Sequence, residues 1–142
     1  MKHCKTYDVV SKIIKMQTLF PTHPHYALKA TIIVPVKNEE VNLYGMLDAL
    51  RLQVDAAGNE ICNDLYEVLL LANNCTDHSF PLAAAYKLMH PGFNLQVAEI
   101  RLDKEQAHIG TVRRLLMDEA YQRFQLLGRP EELLYPQMEI QG

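Results

Sequence analysis

A chain of 142 residues with 49% hydrophobic and 22% charged side chains has room for one core, at the usual count of about 100 to 200 residues per domain. Six glycines and seven prolines are too few for collagen-like or low-complexity classes, and a formal net charge of -3 sets up no global cation field for nucleic acid. The longest apolar runs, Ala30 to Val36 and Val68 to Ala72, fall far short of the roughly 20 residues that cross a bilayer, so no transmembrane segment is predicted.

Val9, Val10, Ile13, Ile14 and Met16 recur near helical period, with Thr6 or Asp8 placed to cap them, which predicts a helix over residues 6 to 18. The opening MKHCKTYDVV has no apolar run of signal-peptide type, so the expected location is the cytoplasm. Phe20 to His25, with Pro21 and Pro24, reads as a connector, and His23 and His25 lack a neighbouring Cys or acid pair, which favours a polar loop over a metal site. Cys4, Cys62 and Cys75 are odd in number and far apart, as expected of reduced thiols.

Ala30 to Val36 is a β-branched apolar run suited to a strand covered on both faces. Leu43, Met46, Leu47, Leu50 and Val54 then form one helical stripe, with Glu39 and Glu40 where a helix N-terminus favours negative charge. A polar loop over Asp55 to Asp64 leads to a second buried strand, Tyr66 to Ala72. Asp77 or Ser79 is placed to cap a helix buried through Leu82, Ala85, Tyr86 and Met89, which Pro91 and Gly92 stop.

Leu95 to Arg101, with Gln96 and Glu99 interleaved, predicts a third strand nearer an edge. Ile109, Val112, Leu116, Ala120, Phe124 and Leu127 predict a long final helix ending near Gly128 and Pro130. Repeated strand-helix alternation predicts an α/β fold, a three-layer Rossmann-like parallel sheet. Ligands of such sheets enter at the carboxyl ends of the strands, so the expected pocket is the common edge of Pro35 to Glu40, Asn73 to Ser79 and Leu102 to Gly110.

No GxGxxG, GxxxxGK[ST] or GxSxG motif is present, which removes support for dinucleotide, P-loop and acyl-transfer readings, and Cys75 has no assignable catalytic partners. Three other segments stand out: ATIIVPVKNEE at 30–40, LLLANNCTDHS at 69–79 and HIGTVRRLLMDEA at 108–120. Together they resemble the first part of a family 2 glycosyltransferase, and the resemblance covers residues 28–127. It implies a partial GT-A nucleotide-binding subdomain: one truncated domain over 1–142, with a helix and linker at 1–27, a nucleotide-binding core at 28–127 and a tail at 128–142.

The resemblance implies that Pro35 and Lys37 lie beside the base and ribose, followed by Asn38 and Glu39. Lys37 replaces a common aromatic, exchanging stacking for a cation. Against a DDGSTD-like second loop, the chain reads Ala72-Asn73-Asn74-Cys75-Thr76-Asp77, so both leading acids are absent. Asn73 then either reads a base edge or forms an Asx turn, and Asp77 either organises the nucleotide loop or caps the next helix. Gly110 is implied to allow close packing near the sugar-nucleotide, and Arg113 to reach a ribose or diphosphate oxygen; Arg114 reads as facing solvent, and His108 as either a cap or a polar surface residue.

The family generally places a DxD motif on the strand after this helix to hold a divalent ion, Mg or Mn; this chain has no DxD and no assignable catalytic base. No metal residue or resident cofactor is therefore assigned, and the chain is expected to bind a UDP-sugar or similar nucleotide-sugar without completing transfer, which belongs to a full-length enzyme. The alternatives are a noncatalytic nucleotide or nucleotide-sugar binding module and an oligomeric structural protein. A sheet lacking its downstream strands also predicts self-association as a homo-oligomer, and a parent protein is compatible with peripheral membrane association. The departure at LYPQMEIQG fits a short paralogue, an altered gene end or an expressed fragment alike.

Overall fold

A computed structural model of the protein describes residues 19–129. Six elements alternate: β1 (Ala30–Val36), α1 (Leu43–Arg51), β2 (Tyr66–Asn73), α2 (Ser79–Met89), β3 (Leu95–Ile100) and α3 (Ile109–Leu126). The strands form one parallel sheet in the order β1-β2-β3. The helix expected over 6–18 and the tail beyond Arg129 lie outside the described residues.

Every residue of β2 is buried, and so is every residue of β1 after Ala30, because both faces of the sheet are covered. On one face Ile32, Val34, Val36, Val68 and Leu70 pack with Leu43, Leu47 and Leu50 of α1 and with Ala83 and Tyr86 of α2. On the other, Ile33, Leu69 and Leu71 pack with Phe20 and with Val112, Leu116 and Ala120 of α3. The three layers expected from the alternation are present, and β3, with its mixed burial, is an edge of the described sheet.

A charge interrupts the α3 face. Glu67 is fully buried in β2, and Arg123 of α3 meets it in a fork, Nε to Oε2 and Nη2 to Oε1, both at 2.8 Å. The Thr31 hydroxyl donates to Glu67 Oε2 at 3.0 Å, and Arg123 Nη1 donates to the carbonyls of Phe20 (3.1 Å) and Thr22 (2.7 Å). One guanidinium thus ties α3 to Glu67 near the start of β2 and to the connector before β1, and Thr31 of β1 joins through the Glu67 carboxylate.

The structure corrects three local expectations. α1 begins at Leu43 behind an Asn42 N-cap, so Glu39 and Glu40 precede the helix in a turn closed by Asn42 N–H to Glu39 O, and no acid occupies its first turn. Val54 lies beyond the helix, in an antiparallel bridge with Glu60 that closes the 55–59 turn. The N-cap of α2 is His78, one residue after Asp77 and one before Ser79.

α1 and α2 are joined through Tyr86, whose hydroxyl donates to Asp48 Oδ1 (2.6 Å) and accepts from Arg51 Nε (2.8 Å). The Tyr86 hydrogen bond, reinforced by Arg51, holds the Asp48 pKa below its ordinary value of 3.8. A carboxylate depressed in the folded state contributes stability that is present above the unfolded pKa and lost as pH falls through the folded one. Tyr86→Phe is therefore expected to flatten the acid limb of the stability curve below about pH 4, read by thermal melts in steps of pH. An unchanged acid limb would show that the Asp48 contact carries no pH-dependent stability.

Candidate functional site

Parallel register sets Val36 opposite Ala72 and Asn73 opposite Ile100, so the three following loops leave the sheet at one edge. Pro35 shares a face with Ile33, and Asn73 shares one with Leu69 and Leu71, which is the face covered by α3. Arg123 meets Glu67 near the start of β2, so the opposite end of α3, with Gly110 and Arg113, returns toward the carboxyl edge. Topology thus brings Pro35, Lys37, Asn73, Gly110 and Arg113 to one end of the sheet.

The loops there are stitched by side chains. Asn38 adopts a left-handed backbone (φ 54), and its Oδ1 accepts from the Thr76 (2.8 Å) and Asp77 (3.3 Å) N–H groups. Asp77 returns the contact, accepting from Ser79 N–H at Oδ1 (2.9 Å) and Glu40 N–H at Oδ2 (3.1 Å). Glu39 N–H donates to the buried Ser79 hydroxyl (2.9 Å), and His78 N–H donates to Glu40 Oε2 (3.1 Å). Burial opposes the charge on Asp77, but the Ser79 and Glu40 hydrogen bonds outweigh it and keep its pKa below the ordinary carboxylate value.

A second stitch joins the β2 and β3 exits. Asn74 is also left-handed (φ 48); its Nδ2 donates to Leu102 O (2.9 Å) and its Oδ1 accepts from Leu102 N–H (3.1 Å). Cys75 Sγ donates to Val36 O (3.6 Å) and Arg101 Nη2 donates to Cys75 O (3.0 Å). The thiol is thereby used inside the loop cluster.

Asn73 stands apart from these bonds. It is 4% exposed at the carboxyl end of the central strand, and its side-chain amide makes no hydrogen bond among the described residues, so it forms no Asx turn. Lys37 is exposed and forms no ion pair among the described residues; Arg113 is half-buried. Gly110 is exposed in the first turn of α3, and a Cβ there would stand 3.3 Å from the ring of His108, the N-cap, whose Nδ1 accepts from Thr111 N–H (3.3 Å).

Glu40 and Asp77 spend oxygens on N–H donors, and among the described residues no group of three or more His, Cys, Asp or Glu is arranged to hold a metal. No described helix is long and apolar enough to cross a membrane. Two cavities, of about 680 and 500 Å³, lie at the opposite end, between the helix C-termini, the 55–64 loop and the turn before β3.

No protein-family model matches the chain, and no curated protein matches it. Among solved structures, it is similar to the mannosyltransferase PcManGT from Pyrobaculum calidifontis in complex with GDP-Man and Mn2+, at 19% identity and a TM-score of 0.49 over 75% of this chain. The chain spans 28% of the length of that protein.

Proposed function

We propose that this chain binds a nucleoside diphosphate-sugar at the edge where β1 and β2 end, as the nucleotide-binding part of a protein resembling family 2 glycosyltransferases. The observation that carries the reading is Asn73, 4% exposed as a residue at the end of the central strand of a parallel sheet, with an amide that makes no hydrogen bond among the described residues. Its oxygen and nitrogen offer a base edge one acceptor and two donors. Lys37 and Arg113 supply cations for ribose and diphosphate oxygens, while Asp77 acts from behind by holding the Glu40 turn in place. Glu39 has its N–H fixed on Ser79, which orients the first loop rather than its carboxylate. Among the described residues no carboxylate set suits a metal, so neutralising the diphosphate falls to these cations and the chain binds without turning over; transfer of the sugar is assigned to a larger catalytic domain.

Calorimetry with UDP- and GDP-sugars tests this. The unaltered chain is expected to bind at least one of them saturably, and Asn73→Ala to weaken that binding about threefold to tenfold with its melting temperature retained, the loss of one or two neutral hydrogen bonds. No saturable binding of any nucleotide-sugar by the unaltered chain would overturn the proposal.

A further inference from the structure

The cavity of about 500 Å³ at the amino end of β3 is within the size range of small-molecule sites and lies at the other end of the sheet from Asn73. Its lining includes His23, His25, Asp64, Lys87, Asn94 and Gln96. Lys87 is half-buried, and its ammonium makes one hydrogen bond, to Gln96 Oε1 (3.0 Å). Gln96 is itself oriented by donating from Nε2 to Asn94 Oδ1 (3.1 Å), so the head of Lys87 is held in place.

The carboxylate in the lining does not neutralise it. His25 Nδ1 accepts from Ala27 N–H (3.0 Å), which puts the imidazole proton on Nε2, facing Asp64 Oδ2 at 3.6 Å. Among the described residues Lys87 has no ion pair, so its charge stands in a polar cavity without a counter-ion. Desolvation, then the charge of Arg123, pushes its pKa down, the sign expected of a cation short of negative neighbours. The larger cavity lacks this feature: its cation, Arg51, is already bound by Tyr86 and Asp48.

We infer that the cavity beside β3 is a second binding site, taking a small oxyanion, a phosphate or carboxylate group, on the Lys87 ammonium with the neighbouring amides completing its hydrogen bonds. An ammonium paired to an oxyanion through charge-assisted bonds in a partly desolvated cavity is the strongest polar contact this lining can make.

The test is an amide NMR titration of the full chain with inorganic phosphate and, separately, acetate, at constant ionic strength. Saturable shifts confined to His25, Lys87, Asn94 and Gln96 are expected with at least one of the two, and which one saturates identifies the head group. Lys87→Met, which keeps the aliphatic stem, is expected to weaken binding about tenfold or more while the remaining spectrum stays folded, and Lys87→Gln serves if the methionine variant does not fold. Asn73→Ala is expected to leave these shifts unchanged, separating the two sites. Absence of saturation with both anions, or equal binding by the Lys87 variants, overturns the inference.

Discussion

Arg123→Ala is expected to destabilise the protein by about 3–5 kcal/mol, because it leaves the Glu67 carboxylate buried without its cation. That is a large share of the roughly 5–15 kcal/mol that holds a domain of ordinary stability together. The same change removes donors from Phe20 O and Thr22 O, so the connector before β1 loosens together with α3. Urea unfolding followed by circular dichroism measures the loss. Glu67→Leu combined with Arg123→Leu is expected to cost less than the sum of the single changes, since no buried charge then remains. Recovery stays incomplete, because the Thr31 hydroxyl loses its acceptor. A loss below about 1 kcal/mol for Arg123→Ala would mean that the pair behaves as a solvated one.

This ion pair also marks where the sequence stops being legible. The strands could be read because a sheet covered on both sides demands largely apolar runs, and Ala30–Val36 and Tyr66–Asn73 are such runs with one charged exception, Glu67. The exception was itself a signal: a carboxylate within a buried strand needs a cation, and Arg123 lies on the helix that covers that face. No local period links residues 56 positions apart, so the partner emerges only when the layers are assembled. The same limit explains the helix starts. Glu39 and Glu40 look like a first helical turn, but their backbone N–H groups are claimed by Ser79 and Asp77 from the next loop, which delays α1 until Leu43. At the candidate site, the carboxyl-edge convergence of Pro35 and Asn73 follows from parallel topology alone. Which asparagine is used internally and which is left unmatched does not, since Asn38, Asn73 and Asn74 have identical chemistry and differ only in what the folded loops place against them.

Asn74 is where that difference has its largest expected consequence after Arg123. Its amide both donates to and accepts from Leu102, and its backbone N–H bonds Ile100 O (3.0 Å), so the β2 and β3 exits are fastened by three bonds from one residue. The fastening requires a left-handed backbone, which an asparagine tolerates better than most residues with a side chain. Asn74→Ala removes both side-chain bonds and keeps the unfavourable φ, for an expected loss of about 2–4 kcal/mol. Asn74→Gly removes the same bonds but relieves the backbone, so it is expected to retain about 1 kcal/mol more than the alanine variant despite glycine's greater freedom when unfolded. Asn73 directly precedes this turn, so both variants are also expected to weaken the proposed nucleotide-sugar binding, and the alanine form more so. Chemical denaturation of the two variants side by side separates the contributions. Equal stabilities would show that the cost of the positive φ is no larger than that of glycine's extra freedom in the unfolded chain.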